Sequence, residues 1–109
     1  MSKYNFKVDI SPVEAMDIIK QRQSADLVHE ELIDLGDGRY VATLIYEKYY
    51  FRANNRAALI VIIDNVNGDT DVRSIATGSS EGLFFNFDWG AADNFASSIE
   101  SILDGFMIR

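Results

Sequence analysis

The stretch Ala57-Ala58-Leu59-Ile60-Val61-Ile62-Ile63-Asp64-Asn65-Val66-Asn67-Gly68-Asp69-Thr70 decides the fold class. Its first seven residues are apolar without a break, which reads as a strand buried on both faces. Asn67-Gly68 then supplies the pair that a two-residue hairpin turn favours, because both positions accept a positive φ. Residues 70–77 are therefore the return strand, and the sheet they belong to is antiparallel.

Working back toward the N-terminus, residues 39–51 form a long strand, followed by a polar loop at Asn54-Asn55. Gly36-Asp37-Gly38 is a tight hairpin connection into it. Before that hairpin, Leu27, Val28, Leu32, Ile33 and Leu35 keep no single period, so residues 27–35 read as a strand with room for a bulge. Tyr4-Asn5-Phe6-Lys7-Val8-Asp9-Ile10 alternates cleanly between apolar and polar residues, the period of a half-buried strand. Ser11-Pro12-Val13-Glu14 opens a helix: serine caps, proline suits the first turn, and glutamate completes a capping box. Val13, Met16, Ile18 and Ile19 form its apolar stripe, and it reaches about Gln23.

Toward the C-terminus, Gly78-Ser79-Ser80-Glu81-Gly82 is a loop, residues 83–87 are a short extended piece, and residues 91–106 are a helix. Phe95, Ile99, Ile102, Leu103 and Phe106 line one face of that helix. The expected class is α+β: strand, helix, an antiparallel meander of four or five strands, helix. Residues 1–109 make a single domain, one curved sheet with both helices on one face. This element order resembles a single repeat of the TATA-binding-protein-like fold and, more loosely, the helix-grip ligand-binding folds. Such folds host many functions, so the resemblance transfers no activity.

Composition narrows the function classes. Hydrophobic residues make up 48% and charged residues 25%, a globular mix that argues against disorder. Cysteine is absent, which removes disulfides, thiolate metal sites and cysteine nucleophiles. No signal-peptide core follows Met1, and the longest apolar run, 57–63, is far short of a membrane span, so no membrane partner and a cytoplasmic location are expected. The net charge is −7, and residues 39–56 hold Arg39, Lys48, Arg52 and Arg56 against Glu47 alone. That segment is +3 and the remainder −10, so phosphate neutralisation is local at best and nucleic acid is a poor fit.

The best candidate for a ligand or interface site is Tyr46-Glu47-Lys48-Tyr49-Tyr50-Phe51-Arg52 with Arg56. Tyr46, Lys48, Tyr50 and Arg52 share one strand face, where rings stack on planar groups and guanidinium forks hold anions. The plainer reading is that tyrosines favour strands and cations decorate the wet side. Phe84-Phe85-Asn86-Phe87-Asp88-Trp89-Gly90 is the densest aromatic patch, and Trp89 either seals a pocket or interface or anchors the last helix. The Gly78–Gly82 segment lacks the helix and the Gly-Lys-Ser/Thr ending of a phosphate loop. His29 is the sole histidine, and only Glu31 shares its strand face, too few ligands for zinc. No catalytic set, cofactor site or metal site emerges.

Several segments carry a resemblance over nearly the whole chain: Lys7-Val8-Asp9-Ile10-Ser11-Pro12, Val28-His29-Glu30, Val41-Ala42-Thr43-Leu44-Ile45-Tyr46-Glu47-Lys48-Tyr49-Tyr50, Asn55-Arg56-Ala57 and Phe84-Phe85-Asn86-Phe87-Asp88-Trp89-Gly90-Ala91. They resemble an uncharacterised family of small bacterial proteins, a domain of unknown function. That resemblance implies no activity.

The expected function is a non-enzymatic binding or interaction module, homodimeric through the sheet face. The strand at 39–51 is apolar on both sides, with Val41, Ile45, Tyr49 and Phe51 on one and Tyr40, Leu44, Tyr46 and Tyr50 on the other. Two helices cover only one side, and a large exposed apolar patch is uncommon on a monomer. The alternative is a binder of a small apolar or anionic ligand, lined by Tyr46, Tyr50 and Trp89 with Arg52 or Arg56 meeting the anion. An enzyme is a third reading and requires a polar cluster with perturbed protonation in a pocket.

Overall fold

The computed structural model describes residues 1–51, 55–78 and 89–109, apart from the side chains of Asn55, Trp89 and Ala91. Its elements are β1 (Ser2–Val8), α1 (Pro12–Arg22), β2 (Asp26–Gly36), β3 (Arg39–Tyr50), β4 (Asn55–Asp64), β5 (Thr70–Gly78) and α2 (Trp89–Ile102), then a 3-10 turn at Asp104–Phe106. The class is α+β, with one open antiparallel sheet in the order β1-β5-β4-β3-β2.

The local signals formed as their chemistry dictates. Ser11 accepts from the Glu14 amide at 3.1 Å, and the Glu14 carboxylate accepts from the Ser11 amide at 3.3 Å. That reciprocal pair satisfies two amides at the start of α1. The β2–β3 hairpin turns on Asp37-Gly38, whose φ angles of 56° and 77° are both positive, as a type I′ turn requires. Gly68 takes φ 108° in the β4–β5 connection. β2 is bulged at two places, between Leu27 and His29 and between Asp34 and Gly36. Those bulges account for its broken apolar period.

Every fully buried strand residue lies on one side of the sheet. Phe6 pairs Val72, Val72 pairs Ile63, and Ile63 pairs Ala42; Ser74, Val61 and Leu44 form the next row, and Ala76, Leu59 and Tyr46 the one after. Against this side pack Ala15, Met16 and Ile19 of α1 and Ala92, Phe95, Ala96 and Ile99 of α2, with Leu103 beyond. Ser74 is fully buried, and its hydroxyl donates to the Ala96 carbonyl at 2.7 Å, tying β5 to α2. The Gln23 side chain donates to Ser98 Oγ at 2.9 Å and ties the two helices together.

Three expectations need adjustment. Residues 57–63 are not buried on both faces: Ala57, Leu59, Val61 and Ile63 are buried under the helices, while Ala58, Ile60 and Ile62 on the reverse are only partly covered. Position decides this, because β4 is flanked by β3 and β5 but roofed on one side alone. Asn55 opens β4 instead of sitting in a loop. The last helix ends at Ile102, not near 106, and the chain tightens into the 3-10 turn around Gly105, a poor helix residue. The extended piece expected at 83–87 and most of the loop before it lie outside the described residues.

Candidate functional site

The side of the sheet away from the helices carries the site. Here the register aligns His29, Ile45, Ile60, Ile75 and Lys3 into one row across all five strands. The neighbouring row runs Glu31, Thr43, Ile62, Arg73, Asn5, and the next Ile33, Val41, Asp64, Asp71, Lys7. Three isoleucines thus meet at the centre, with Ile62, Val41 and Ala58 beside them. All six are partly exposed.

Charges ring this centre and pair among themselves. Arg56 meets Glu47 at 2.5 Å, Lys7 meets Asp71 at 2.7 Å, and Arg73 lies 3.7 Å from Asp64. The hydrogen bond to Asp71 raises the Lys7 ammonium above its ordinary pKa. His29 Nε2 sits 3.9 Å from Glu31 Oε2 at the far rim. A shallow polar depression beside Asp64, Asp71 and Arg73 is lined by these same paired groups. Among the described residues, no group of three or more histidines and carboxylates is placed to hold a metal ion. No helix among them is long and apolar enough to cross a membrane.

The Tyr/Arg strand is divided between the two sides. Tyr46 points toward the helices and is 1% exposed, so a ligand reaching it would displace core. Among the described residues its hydroxyl has no hydrogen-bond partner, and burial, with the nearby Glu30 carboxylate, pushes its pKa up. Tyr50 is on the same side and partly buried, with its ring edge-on to Phe95 at 6.0 Å between centroids. The Lys48 ammonium lies 5.4 Å over the Tyr50 ring. Arg56 belongs to the opposite side, across from Tyr49. Tyr49 in turn stacks edge-on with Phe51, which is 87% exposed. Arg52 lies outside the described residues, as does the Trp89 side chain, although Trp89 begins α2.

Sequence reasoning placed Val41, Ile45 and Tyr49 on one strand face but missed their alignment with Ile60 and Ile75. The usable signal was the alternation inside 57–63: Ile60 and Ile62 fall on the parity opposite to Leu59, Val61 and Ile63.

Three comparisons with known proteins complete the description. A family model described as a family of unknown function (DUF6054) matches residues 1–107. No curated protein and no solved structure matches the chain.

Proposed function

The chain belongs to this family of unknown function, DUF6054, and we propose from its own surface that it is a non-enzymatic binding module that self-associates through the uncovered sheet face. The in-register row Ile45, Ile60, Ile75 carries this reading. An apolar centre inside a charged rim is the anatomy of a protein interface. Two such faces packed back to back give a sandwich with aligned sheets about 10 Å apart. A two-fold axis near Ile60 makes each patch its own complement, the commonest symmetry of homo-oligomers.

Charge supports a second copy as the occupant. The rim cations Arg56, Arg73 and Lys7 each already hold a carboxylate of the same chain, so the face presents no large field of one sign to oppose itself. The experiment is the oligomeric state of the protein and of Ile60→Lys, which places an ammonium at the patch centre. A dimer that becomes a monomer in the variant supports the reading; a wild-type monomer removes it.

A second reading is a small-ligand binder on the Tyr/Arg strand. One observation favours it: the Lys48 ammonium over the Tyr50 ring forms a cationic, stackable pair at the end of β3. Lys48→Ala that leaves a co-purifying anionic ligand in place would remove it.

A further inference from the structure

The two edges of the sheet are treated differently. At the C-terminal end of β1, the C-terminal tail covers the outer edge: Asp9 donates its amide to the Phe106 carbonyl and Ile108 its amide to the Lys7 carbonyl, both at 2.9 Å. Val8 bridges Met107 in the same stretch. Along β2 nothing comparable occurs among the described residues. Among the described strands it pairs only β3, and all its residues from Asp26 to Gly36 are exposed. A row of unpaired backbone groups of this length is a template for another strand.

We propose that the outer edge of β2 receives an extended basic segment of another protein, added to the sheet as a sixth strand. This is independent of the sheet-face reading. Two features of β2 argue for it. Val28, Leu32, Ile33 and Leu35 are 45–59% exposed, so apolar side chains stand beside the open edge without serving the core. Interleaved with them are Asp26, Glu30, Glu31 and Asp34. Among the described residues only Glu30 of these has a lysine partner, Lys20 of α1 at 2.6 Å, so four carboxylates stand against one ammonium and the edge stays acidic.

The same charges argue against a second copy here. Antiparallel addition of an identical edge keeps each residue on its own face of the sheet. In the regular stretch between the two bulges, a pairing centred on Glu31 sets Glu31 against Glu31. Centring on Glu30 sets Glu30 against Glu30, though with His29 against Glu31 on either side, and centring on Leu32 sets Glu30 against Asp34 twice. Centring on Ile33 opposes no like charges but sets Leu32 against Asp34 twice, an apolar side chain against a carboxylate. Like charges directly opposite are destabilising, whereas lysine or arginine in the same places is favourable. The matching segment therefore carries cations opposite Glu30, Glu31 and Asp34 and apolar residues opposite Leu32 and Ile33.

The test uses the full chain and a fluorescein-labelled synthetic peptide containing Lys-Val-Val-Lys-Lys, read by fluorescence anisotropy at low salt. A glutamate-for-lysine peptide and a backbone N-methylated peptide are the controls. Saturable binding by the basic peptide alone, weakened at least roughly tenfold by Glu30→Lys with Glu31→Lys, is the expected result. Amide shifts confined to β2 in the NMR spectrum of the labelled protein would agree with it. Equal binding of the N-methylated peptide would mean charge attraction without strand addition and would overturn the proposal. So would no binding, or a wild-type self-association that the β2 double variant abolishes.

Discussion

Ile45 of β3 lies directly opposite Ile60 of β4, on the side of the sheet that neither helix covers. Ile75 of β5 continues the pair on the same row. Cross-strand β-branched pairs stabilise the sheet whatever lies above them, so the isoleucines have a local role. Their coincidence at the centre of a charge-ringed face suits them to a second role as an interface. Ile60→Lys is expected to weaken self-association by about 2 kcal/mol or more per site, since central apolar anchors dominate such interfaces. The fold survives, because a lysine stem covers apolar surface while its head reaches water. Sedimentation velocity across a dilution series, with circular dichroism as the folding control, checks both halves.

Tyr46 is a core residue whose hydroxyl has no hydrogen-bond partner among the described residues. Tyr46→Phe is expected to be neutral or to stabilise by about 1 kcal/mol, because a buried polar atom without a partner is a cost. Urea denaturation measures it. A clear loss of stability would mean that the hydroxyl is engaged.

The same residue gives a pH prediction. Burial raises the folded-state pKa of Tyr46 above its ordinary 10.0. The folded protein then holds this proton more tightly than the unfolded chain does. Its contribution to stability is complete below pH 10.0 and is lost as the pH rises through the raised value. Unfolding free energy should fall as the pH rises past 10.0, and fall less in Tyr46→Phe. Tyr50, raised by burial, Tyr4, raised by its hydrogen bond to Asp93, and Lys7, raised by its bond to Asp71, add to the slope.

Among the described residues, Ser74 is the one buried hydroxyl that links β5 to α2, through the Ala96 carbonyl. Ser74→Ala removes that bond and is expected to cost about 1 kcal/mol. Ser74→Leu adds bulk to a packed layer and should cost more, about 1–3 kcal/mol beyond the lost bond. Thermal melts of both variants read the difference.

Ser11→Ala should cost about 1 kcal/mol by opening the capping box of α1. Adding Glu14→Ala should cost less than the sum of the single changes, because the two side chains share one motif. A double-mutant cycle in urea tests this.

Much of the fold was legible because its signals are local. The capping box at Ser11 and Glu14 and the Asp37-Gly38 turn each act within four residues. Asn67-Gly68 does mark the β4–β5 hairpin, but the connection spans 65–69, and Gly68 takes a positive φ while Asn67 does not, so it is not the two-residue turn expected. The broken period of β2 correctly announced a bulge. What escaped was information that pairing creates. Nothing between Ala57 and Ile63 says which neighbours lie beside β4, so one-sided covering could not be read from that run. The candidate site suffered similarly. Period two placed Tyr46, Lys48 and Tyr50 together, as they are, but it could not show that α1 and α2 cover Tyr46. Nor could it put Arg56, on another strand, on the reverse side across from Tyr49. Recognition of the whole chain as a family of unknown function needed no geometry and came from its Tyr-Glu-Lys-Tyr-Tyr and Phe-Asp-Trp-Gly runs.

Sedimentation equilibrium of the wild-type chain, from low micromolar to submillimolar concentration, tests the sheet-face interface most directly. The expected result is a species of twice the 12.3 kDa chain mass that falls to a single chain mass in Ile60→Lys. A wild-type protein that stays at 12.3 kDa throughout the range would contradict it.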